Sequence, residues 1–411
     1  MAGAGTTQSA PDAGRLRDAI ETMGDDIVAT LQDLVRLPSI TGDEKEVGAY
    51  VADFCRDMGL PVEIVEAEPG RPNVIATWDG FDGGPSLLFN DHLDIVPPGP
   101  LDYWTHPPFA AEIDGGRVYG RGTIDTKSGL TTLLMATKAA RALALPIRGK
   151  LTLMFSCDEE VGGALGMQHL GKLGYLDADM AVVAEPTTMQ IEIATKGRLN
   201  LEITTRGVAT HGARPWLGHS AIEDMVDVVN GLRTLARELE SRTHPLLGVA
   251  TLCIGTIDGG TVPNMVPNKC VLGIDRRVLP TEDPDVAIAE IQAILDRLAK
   301  EKEGFDASMR QLVWWPGYVI DEDEPIVRIA CRAFETVVGR KPTVAGKDAG
   351  TDASWINVLG DIPVIMFSPG NGLEAMNADE NVAIDDLITA TKVIGQILYD
   401  VLVDGAEPGG A

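Results

Sequence analysis

The sequence has little of what marks membrane and secreted proteins. None of its apolar runs approaches the roughly 18 to 20 residues that a helix needs to span a bilayer. Residues 1–14 carry neither a basic start nor an apolar core, so we expect a loose tail there rather than a targeting segment. The 5 cysteines are odd in number and form no C-x-x-C pair, which indicates neither a disulfide framework nor a thiolate zinc site. A cytoplasmic location is expected.

Basic residues are also scarce. Lysine and arginine number 34 against 61 aspartates and glutamates, which gives a formal net charge of −27. This excess of negative charge opposes binding to nucleic acids and to anionic membrane surfaces, so neither is expected as a partner. The 411 residues, 45% of them hydrophobic, are enough for a large buried core and more than one domain.

The first half of the chain predicts an α/β fold. Apolar residues recur at helical spacing from Arg15 to about Leu37 and from Glu44 to Met58, and another helix is expected at about 128–145. Apolar runs predict strands at 73–78, 86–90, 150–156 and 179–184. Apolar strands that alternate with helices indicate a mostly buried central sheet with helices on both faces.

The pattern changes near Ala194. Segments that alternate with period two are followed by amphipathic helices at about 219–240 and 284–303, which indicates a separate α+β layer. The chain is then expected to return to the first domain near Trp314, with later elements at 323–337, 362–367 and 384–403. We therefore predict a first domain in two parts, 15–193 and 313–405, with 194–312 inserted between them.

Residue types that suit metal binding follow several of the predicted strands. They are His92 and Asp94, Asp125, the run Asp158-Glu159-Glu160, and Glu185. α/β folds place their sites at such strand ends. Adjacent like charges repel unless a cation offsets them, so an acidic run after an apolar strand indicates a bound metal ion. Each motif alone has a simpler explanation. The run Asp158-Glu159-Glu160 could be a solvated acidic turn, and Asp125 could be a helix cap.

In this order and with these separations, the motifs resemble those of the zinc-dependent metallopeptidase family of aminoacylase, acetylornithine deacetylase and succinyl-diaminopimelate desuccinylase. The resemblance covers about residues 27–403, and its most specific stretch runs from His92 to Lys127. It implies a catalytic domain with a central mixed sheet flanked by helices, formed by 15–193 and 313–405. It also implies that 194–312 is an α+β ferredoxin-like domain that serves as a lid and in dimerisation.

The resemblance further implies a set of metal ligands. His92, Asp125 and Glu185 would bind one ion, and Asp125 would bridge to a second ion that Glu160 also binds. In relatives a histidine completes the set, but here Met376 occupies that position. A thioether is a soft, uncharged ligand that is poorly matched to Zn²⁺, Mn²⁺ or Co²⁺ in a carboxylate site. We therefore expect one tightly held divalent ion rather than two.

Catalytic roles follow from the same resemblance. Glu159 would be the general base, and Asp94 would orient His92. His211 lies in a segment that resembles the family's lid, whose histidine reaches the active site of a partner subunit and stabilises the oxyanion. A homodimer or a larger homo-oligomer is thus expected. Without this resemblance, His211 would be taken as a surface-loop histidine.

Four more positions match residues that contact the substrate in relatives, and these are Asn264, Arg277, Gly350 and Thr351. Because Arg276 stands next to Arg277, the choice between the two arginines stays open by one position. An arginine that anchors a carboxylate would imply a small-molecule substrate carrying that group.

Three functions remain open. The first is hydrolysis of the C–N bond of an amide in a small N-acyl amino acid or a similar carboxylate-bearing molecule. The second is hydrolytic deamination of an activated aromatic amine such as 5-nitroanthranilate. Trp314, Trp315 and Met376 would suit a flat aromatic substrate, although the two tryptophans could equally pack at the domain hinge. The third is a non-catalytic protein that binds a small molecule in the same cleft.

Overall fold

The computed structural model describes residues 9–405, which form two compact units. Unit 1 contains the described residues up to Ile193, then Ile320–Ala345, and then those from Thr351 onward. Unit 2 contains Ala194–Val319 and Gly346–Gly350. Among the described residues, no helix is both long enough and apolar enough to cross a membrane.

The first stretch of unit 1 contains most of its sheet. Its helices are α1 (Ser9–Thr22), α2 (Gly24–Val35), α3 (Lys45–Asp57), α4 (Lys127–Ala142) and α5 (Met167–Lys172). Its strands are β1 (Val62–Glu66), β2 (Pro72–Asp79), β3 (Ser86–His92), β4 (Glu112–Asp114), β5 (Arg117–Tyr119), β6 (Lys150–Ser156), β7 (Met180–Val183) and β8 (Ile191–Thr195). The predicted loose tail is too long, because α1 begins at Ser9. The rest of that tail, residues 1–8, lies outside the described residues.

Unit 2 has the β-α-β-β-α-β order of a ferredoxin-like layer. Its elements are β9 (Gly197–Arg206), α6 (Ala221–Leu239), β10 (Thr243–His244), β11 (Gly248–Val249), β12 (Thr251–Gly259), β13 (Lys269–Val278), α7 (Pro284–Glu301), β14 (Asp306–Trp315) and β15 (Tyr318–Val319). The four long strands form an antiparallel sheet in the order β12-β13-β9-β14. Ser220 and Asp283 cap the two helices by accepting hydrogen bonds from the main-chain N–H groups of Glu223 and Asp285.

The predicted end of the insertion at residue 312 comes too early. Strand β14 continues along the sheet of unit 2, where Trp314 pairs with Leu199 and Trp315 pairs with Arg198. Both tryptophans therefore lie in a strand of unit 2, and the chain leaves this unit only at Ile320. The roles of unit 2 as a lid and in dimerisation stay predictions.

After unit 2, the chain adds the remaining elements. They are α8 (Pro325–Val338), β16 (Val344–Lys347), α9 (Asp352–Gly360), β17 (Val364–Met366), β18 (Asn381–Ala383) and α10 (Ile384–Leu402). Strand β17 enters the main sheet, whose order in this unit is β1-β2-β6-β3-β7-β17-β8. Strand β18 forms a separate small sheet with β5 and β4.

The main sheet is mixed. Strand β3 runs parallel to β6 and β7, and β17 runs parallel to β7, whereas β1 and β2 are antiparallel to their neighbours. Helices α4 and α10 pack against each other and on β3, while α5 packs on α9, which covers β7 and β17. The central strands are buried along nearly their whole length, which explains their unbroken apolar runs. The predicted mixed α/β sheet with flanking helices is confirmed.

Candidate metal centre

The carboxyl ends of the parallel strands meet at one edge of the main sheet. His92 is the last residue of β3, the run Asp158-Glu159-Glu160 follows β6 after one residue, and Glu185 comes two residues after β7. Asp125 stands just before α4. The topology of the sheet therefore collects the predicted ligands in one place, as it does in other α/β folds.

The distances between these side chains are those of a metal-binding cluster. His92 Nε2 lies 3.1 Å from Asp125 Oδ1 and 3.7 Å from Glu185 Oε1. Ligand atoms of His92, Asp125 and Glu160 all lie within 4.8 Å of one another, and so do those of His92, Glu159 and Glu185. One imidazole thus faces four carboxylates.

The orientation of His92 is set by the main chain. Its Nδ1 lies 2.9 Å from the carbonyl oxygen of Asp94, whereas the Asp94 carboxylate is 3.7 Å away. Because a carbonyl only accepts, Nδ1 carries a proton, and Nε2 is the ring nitrogen that faces the carboxylates. Asp94, which is predicted to orient His92, thus makes its shortest contact with the imidazole through its main-chain carbonyl.

The Asp94 carboxylate instead holds the acidic turn. It accepts hydrogen bonds from the main-chain N–H groups of Glu159 at 3.0 Å and Glu160 at 3.2 Å, and from the hydroxyl of Thr41 at 2.8 Å. Burial alone would raise the pKa of Asp94, but the charge of nearby His92 and the hydrogen bond from Thr41 lower it below the usual value. Asp94 is therefore a charged acceptor that fixes the main chain of both glutamates.

The buried acids of the cluster repel one another. Burial raises the pKa of Glu159 well above its usual value, and the charges of Glu185 and Asp352 raise it further against the pull of His92. Burial and the charge of Asp125 do the same to the pKa of Glu160. A cation among them would relieve this repulsion.

The cluster fits a divalent transition metal ion. Among residues 9–405, the buried Oε1 of Glu160 has no hydrogen-bond partner within the protein. Such an atom commonly binds an ion or water, because leaving a buried polar atom unpaired is costly. One imidazole nitrogen with several carboxylate oxygens is a donor set that Zn²⁺, Mn²⁺ and Co²⁺ accept.

The segment that carries Met376 is tied to the centre through its main chain. The buried carboxylate of Glu380 accepts hydrogen bonds from the N–H groups of Ile124 at 2.8 Å and Asp125 at 3.2 Å, and it also pairs with Arg121. The same carboxylate accepts the N–H of Met376 at 3.3 Å, whose carbonyl accepts from Arg121 Nη2 at 2.8 Å. The Met376 side chain is 49% exposed. That its sulfur serves as a ligand stays a prediction.

Two further buried acids near the centre were not among the predicted site residues. Asp91 accepts hydrogen bonds from the Thr126 hydroxyl at 2.5 Å and from the N–H of His92 at 3.0 Å. Asp352 accepts the hydroxyl of Ser156, and burial raises its pKa to about 7. Asp91 is marked in the sequence by its place beside His92 at the end of an apolar strand, whereas only the fold brings Asp352 close to the centre.

Of the predicted substrate-side residues, His211, Asn264, Arg277 and Gly350 belong to unit 2. The structure brings the first two together within that unit, because the N–H of Gly212 donates to the carbonyl of Asn264 at 2.7 Å. The N–H of Ala213 donates to the His211 ring nitrogen Nδ1 at 3.1 Å. His211 thus lies on a loop that the Asn264 segment supports.

The two adjacent arginines of β13 point to opposite faces of the sheet in unit 2. Arg276 is fully buried and donates to Glu282 at 2.5 Å, so its side chain lies on the core side of the sheet. Arg277 is partly exposed and pairs with Asp275 through two hydrogen bonds of 2.7 and 3.2 Å. The accessible arginine is therefore Arg277. Gly350 lies against the Trp315 ring, where a Cβ would come within 2.7 Å of it.

Thr351 belongs to unit 1 and has a structural task there. It is the N-cap of α9, where its hydroxyl oxygen accepts a hydrogen bond from the N–H of Ala353 at 3.2 Å. The residue is buried and its hydroxyl also contacts the sulfur of Met366 at 3.3 Å. Its predicted contact with substrate stays a prediction.

The chain is similar to known proteins in sequence and in structure. The family model described as peptidase family M20/M25/M40 matches residues 88–400. Two curated relatives are both named N-formyl-4-amino-5-aminomethyl-2-methylpyrimidine deformylase. The one from Halalkalibacterium halodurans is 26% identical over 405 residues, covering 92% of this chain and 94% of that protein. The one from Bacillus subtilis is 28% identical over 374 residues, covering 85% and 87%.

A solved structure extends the likeness to the fold. The M20 family metallo-carboxypeptidase Sso-CP2 from Sulfolobus solfataricus superposes with a TM-score of 0.77 at 20% sequence identity. The match covers 91% of this chain and 98% of that one.

Proposed function

Because the chain belongs to peptidase family M20/M25/M40 and is a metal-dependent hydrolase of C–N bonds, we propose that it cleaves the amide of a small N-acyl compound carrying a carboxylate, such as an N-acyl amino acid. Family membership confirms the resemblance that the sequence motifs indicated. The observation that carries the proposal is the cluster in which His92 faces Asp125, Glu159, Glu160 and Glu185 at the strand ends of unit 1.

The protein groups around the cluster suit amide hydrolysis. A divalent metal ion bound by His92 and the carboxylates would polarise the carbonyl and make a water molecule more acidic. Glu159 is the proposed general base, because Asp94 fixes its main chain and its carboxylate lies in the cluster with His92 and Glu185. It would take a proton from the attacking water and then give it to the nitrogen of the leaving amine.

Unit 2 would supply the substrate contacts. His211 is proposed to donate to the oxyanion and Arg277 to bind the substrate carboxylate, on the strength of the motifs in which they stand. The exposure of Arg277 supports this choice over the buried Arg276. Because Asp275 already pairs with Arg277, a bound carboxylate would share the guanidinium with it.

A second candidate substrate class comes from the relatives. Both curated deformylases are named for removing a formyl group from an aminomethylpyrimidine, and both match most of the chain. An N-formyl amine on a flat heteroaromatic ring is therefore the alternative to an N-acyl amino acid. The bond broken and the roles of Glu159 and the metal ligands would be the same.

The cofactor is proposed to be one tightly held Zn²⁺, Mn²⁺ or Co²⁺ ion. His92 is the imidazole in both groups of side chains that could hold an ion. Met376 offers a thioether in place of the expected histidine, and thioethers bind these ions weakly beside carboxylates. A second ion would thus be held mainly by carboxylates, with little contribution from the Met376 thioether.

The partner is proposed to be a second copy of the chain, joined through unit 2. Support comes from β12, which lies at the edge of the four-stranded sheet and carries the exposed apolar side chain of Ile257. The net charge of −27 supports the absence of nucleic-acid and membrane partners. A cytoplasmic location is proposed because all 5 cysteines are free thiols.

A single assay series tests the function. The purified full chain is stripped with a chelator, reloaded with Zn²⁺, Mn²⁺ or Co²⁺, and given N-formyl and N-acetyl amino acids, an N-formyl aminomethylpyrimidine and 5-nitroanthranilate. We expect metal-dependent release of the amine from an amide, and about 10² to 10⁴-fold lower kcat for Glu159→Gln with metal content unchanged.

The matched control is Glu46→Gln, which changes an exposed glutamate of α3 and should keep the wild-type kcat. Failure to hydrolyse any amide, or ammonia release from the aromatic amine alone, would contradict the proposed function. Full activity in Glu159→Gln would remove that residue from the role of base.

A further inference from the structure

The two glutamates of the metal centre lie on a short, tightly turned segment. Asp158 has a φ of +70°, and its carbonyl accepts the N–H of Gly163 at 2.8 Å. Aspartate tolerates this left-handed conformation better than most residues do. Since Asp158 directly precedes Glu159 and Glu160, its backbone angles set the direction in which both side chains leave the turn.

The side chain of Asp158 is held by partners other than Asp94. Its Oδ1 accepts a hydrogen bond from Arg71 Nη2 at 2.8 Å, and its Oδ2 accepts from the N–H of Leu165 at 3.1 Å. The Asp158 side chain is only 8% exposed. Two side chains therefore hold the turn. Asp94 accepts hydrogen bonds from the N–H groups of the turn, and Arg71 pairs with the Asp158 carboxylate.

Arg71 is itself held rigidly by a second buried acid. Its Nε and Nη2 donate to the two carboxylate oxygens of Glu44 at 2.6 and 2.8 Å, a two-pronged pairing with fixed geometry. Glu44 is fully buried and also accepts the N–H of Gly42 at 3.0 Å. Near this pair, the side chain of Asn73 accepts the N–H of Cys157 at 3.1 Å and donates to the carbonyl of Leu165 at 2.9 Å.

We propose that Arg71 is a positioning residue of the metal centre: held by Glu44, it fixes Asp158 and thereby the placement of Glu159 and Glu160. This inference rests on the proposed function, because it assigns those two glutamates to proton transfer and metal binding. Without Arg71, the carboxylates of Glu44 and Asp158 would lie buried without this cation beside an already acidic cluster. Repulsion would then turn the segment away from the geometry described above.

A lysine at position 71 could not reproduce the arrangement. It carries the same charge, but its single ammonium cannot form the planar fork that reaches both oxygens of Glu44 and one of Asp158. Charge alone would thus restore only part of the function. This graded response separates a positioning role from simple charge balance.

The experiment compares Arg71→Gln, Arg71→Lys and Asp158→Asn in the full chain. The matched control is Arg242→Gln, which removes a similar fork in unit 2, where Arg242 bonds Glu282 at 3.0 Å and Glu290 at 3.1 Å. Three quantities are measured on each folded variant. They are hydrogen exchange of the amides of the 158–163 turn in metal-free protein, affinity for Mn²⁺ by calorimetry, and kcat with KM for the best substrate.

We expect Arg71→Gln to speed exchange at Glu159 and Glu160, to weaken Mn²⁺ binding by about 10 to 100-fold, and to lower kcat while KM stays within about threefold. Arg71→Lys should fall between this variant and the wild type. Asp158→Asn tests the same link if Arg71→Gln does not fold. Arg242→Gln should match the wild type in all three quantities.

Unchanged exchange and unchanged Mn²⁺ affinity in Arg71→Gln and Asp158→Asn would overturn the inference, and so would equal losses in Arg242→Gln. If the wild type neither binds Mn²⁺ nor hydrolyses an amide, the proposed function fails. The exchange data then still decide whether Arg71 holds the turn.

Discussion

At the residue scale, Asp400 is an acid whose surroundings oppose its charge. It lies in the last turn of α10, where its Oδ1 accepts a hydrogen bond from Gln396 Nε2 at 2.6 Å. Burial raises the pKa of Asp400 to about 6, with the charge of Asp404 acting in the same direction. The negative end of the helix dipole at this terminus adds a further penalty.

The sign of the effect on stability follows from this raised pKa. The folded chain binds a proton at Asp400 more tightly than the unfolded chain, whose aspartates titrate near pH 4. The contribution of Asp400 to the free energy of unfolding is therefore fully present below about pH 4, and it is lost as the pH rises through about 6. Asp400→Asn should raise the free energy of unfolding by about 1 to 2 kcal/mol at pH 7.5 and by little at pH 4, after allowance for the partial exposure of the group.

Urea unfolding at the two pH values measures this difference. Asp18→Asn, an exposed position in α1, serves as the control and should change stability at neither pH. An Asp400→Asn protein that gains the same stability at pH 4 as at pH 7.5 would show that the effect is not the carboxyl group's titration.

At the scale of elements, the packing of α4 on the end of β7 positions the main chain beside the predicted ligand Glu185. Gly129 lies in the first turns of α4, and a Cβ there would come within 1.9 Å of the carbonyl oxygen of Ala184 and 2.7 Å of Asp91 Oδ2. Ala184 directly precedes the ligand Glu185. Only a glycine lets the helix approach this closely.

Gly129→Ala should therefore force α4 and the strand end apart. We expect a loss of about 2 to 3 kcal/mol in the free energy of unfolding, because the clash is with backbone rather than with a movable side chain. Weaker Mn²⁺ binding should accompany it, since Glu185 moves with Ala184. Gly14→Ala in α1 is the matched control, because its Cβ would find nothing nearer than 4.0 Å. Gly14→Ala should raise the free energy of unfolding by about 0.5 to 1 kcal/mol. Equal losses in both variants would refute the account.

The elements around the centre also show what a sequence can predict. Strands β3, β6 and β7 were expected within a few residues of where they lie, because strands buried on both faces produce apolar runs that end at polar residues. Helix α9 was missed because Asp352–Gly360 has weak helical periodicity and is held by its cap and its packing. The start of α1 at Ser9 was missed for a similar reason, since burial of Leu16 and Ile20 stabilises a helix whose first residues carry no apolar pattern.

The polar contacts of the centre were harder to predict than its ligands. Arg71 and Glu44 are 27 residues apart in sequence, and Asp158 follows a further 87 residues on. Neither spacing corresponds to a helix or strand period, so no local pattern marks the three as partners. The same holds for Glu380 and Arg121, which only the fold brings together. Motif residues could be read from the chain, whereas the residues that orient them could not.

At the scale of the whole molecule, association has to overcome a net charge of −27 per chain. Two such chains repel each other, so a stable dimer needs an interface with little charge. The edge strand β12 of unit 2 fits this need. Its Ile257 is 60% exposed, and α6, which packs on β12, exposes Ile222 and Val226. Unpaired main-chain groups along such an edge can pair with the same edge of a second copy.

Ile257→Lys should convert the proposed dimer into a monomer. The lysine replaces the exposed apolar side chain of the edge strand with a charge, which pairing would bury without a partner. Sedimentation velocity at micromolar concentration measures the change, and Ile113→Lys, at an exposed apolar position of β4 in unit 1, should leave the dimer intact.

If His211 acts in the partner's active site, the monomer should also lose kcat while its Mn²⁺ affinity stays at the wild-type value, since the ligands all belong to unit 1. A monomeric wild type, or a monomeric Ile257→Lys with full kcat, would place His211 outside catalysis in trans.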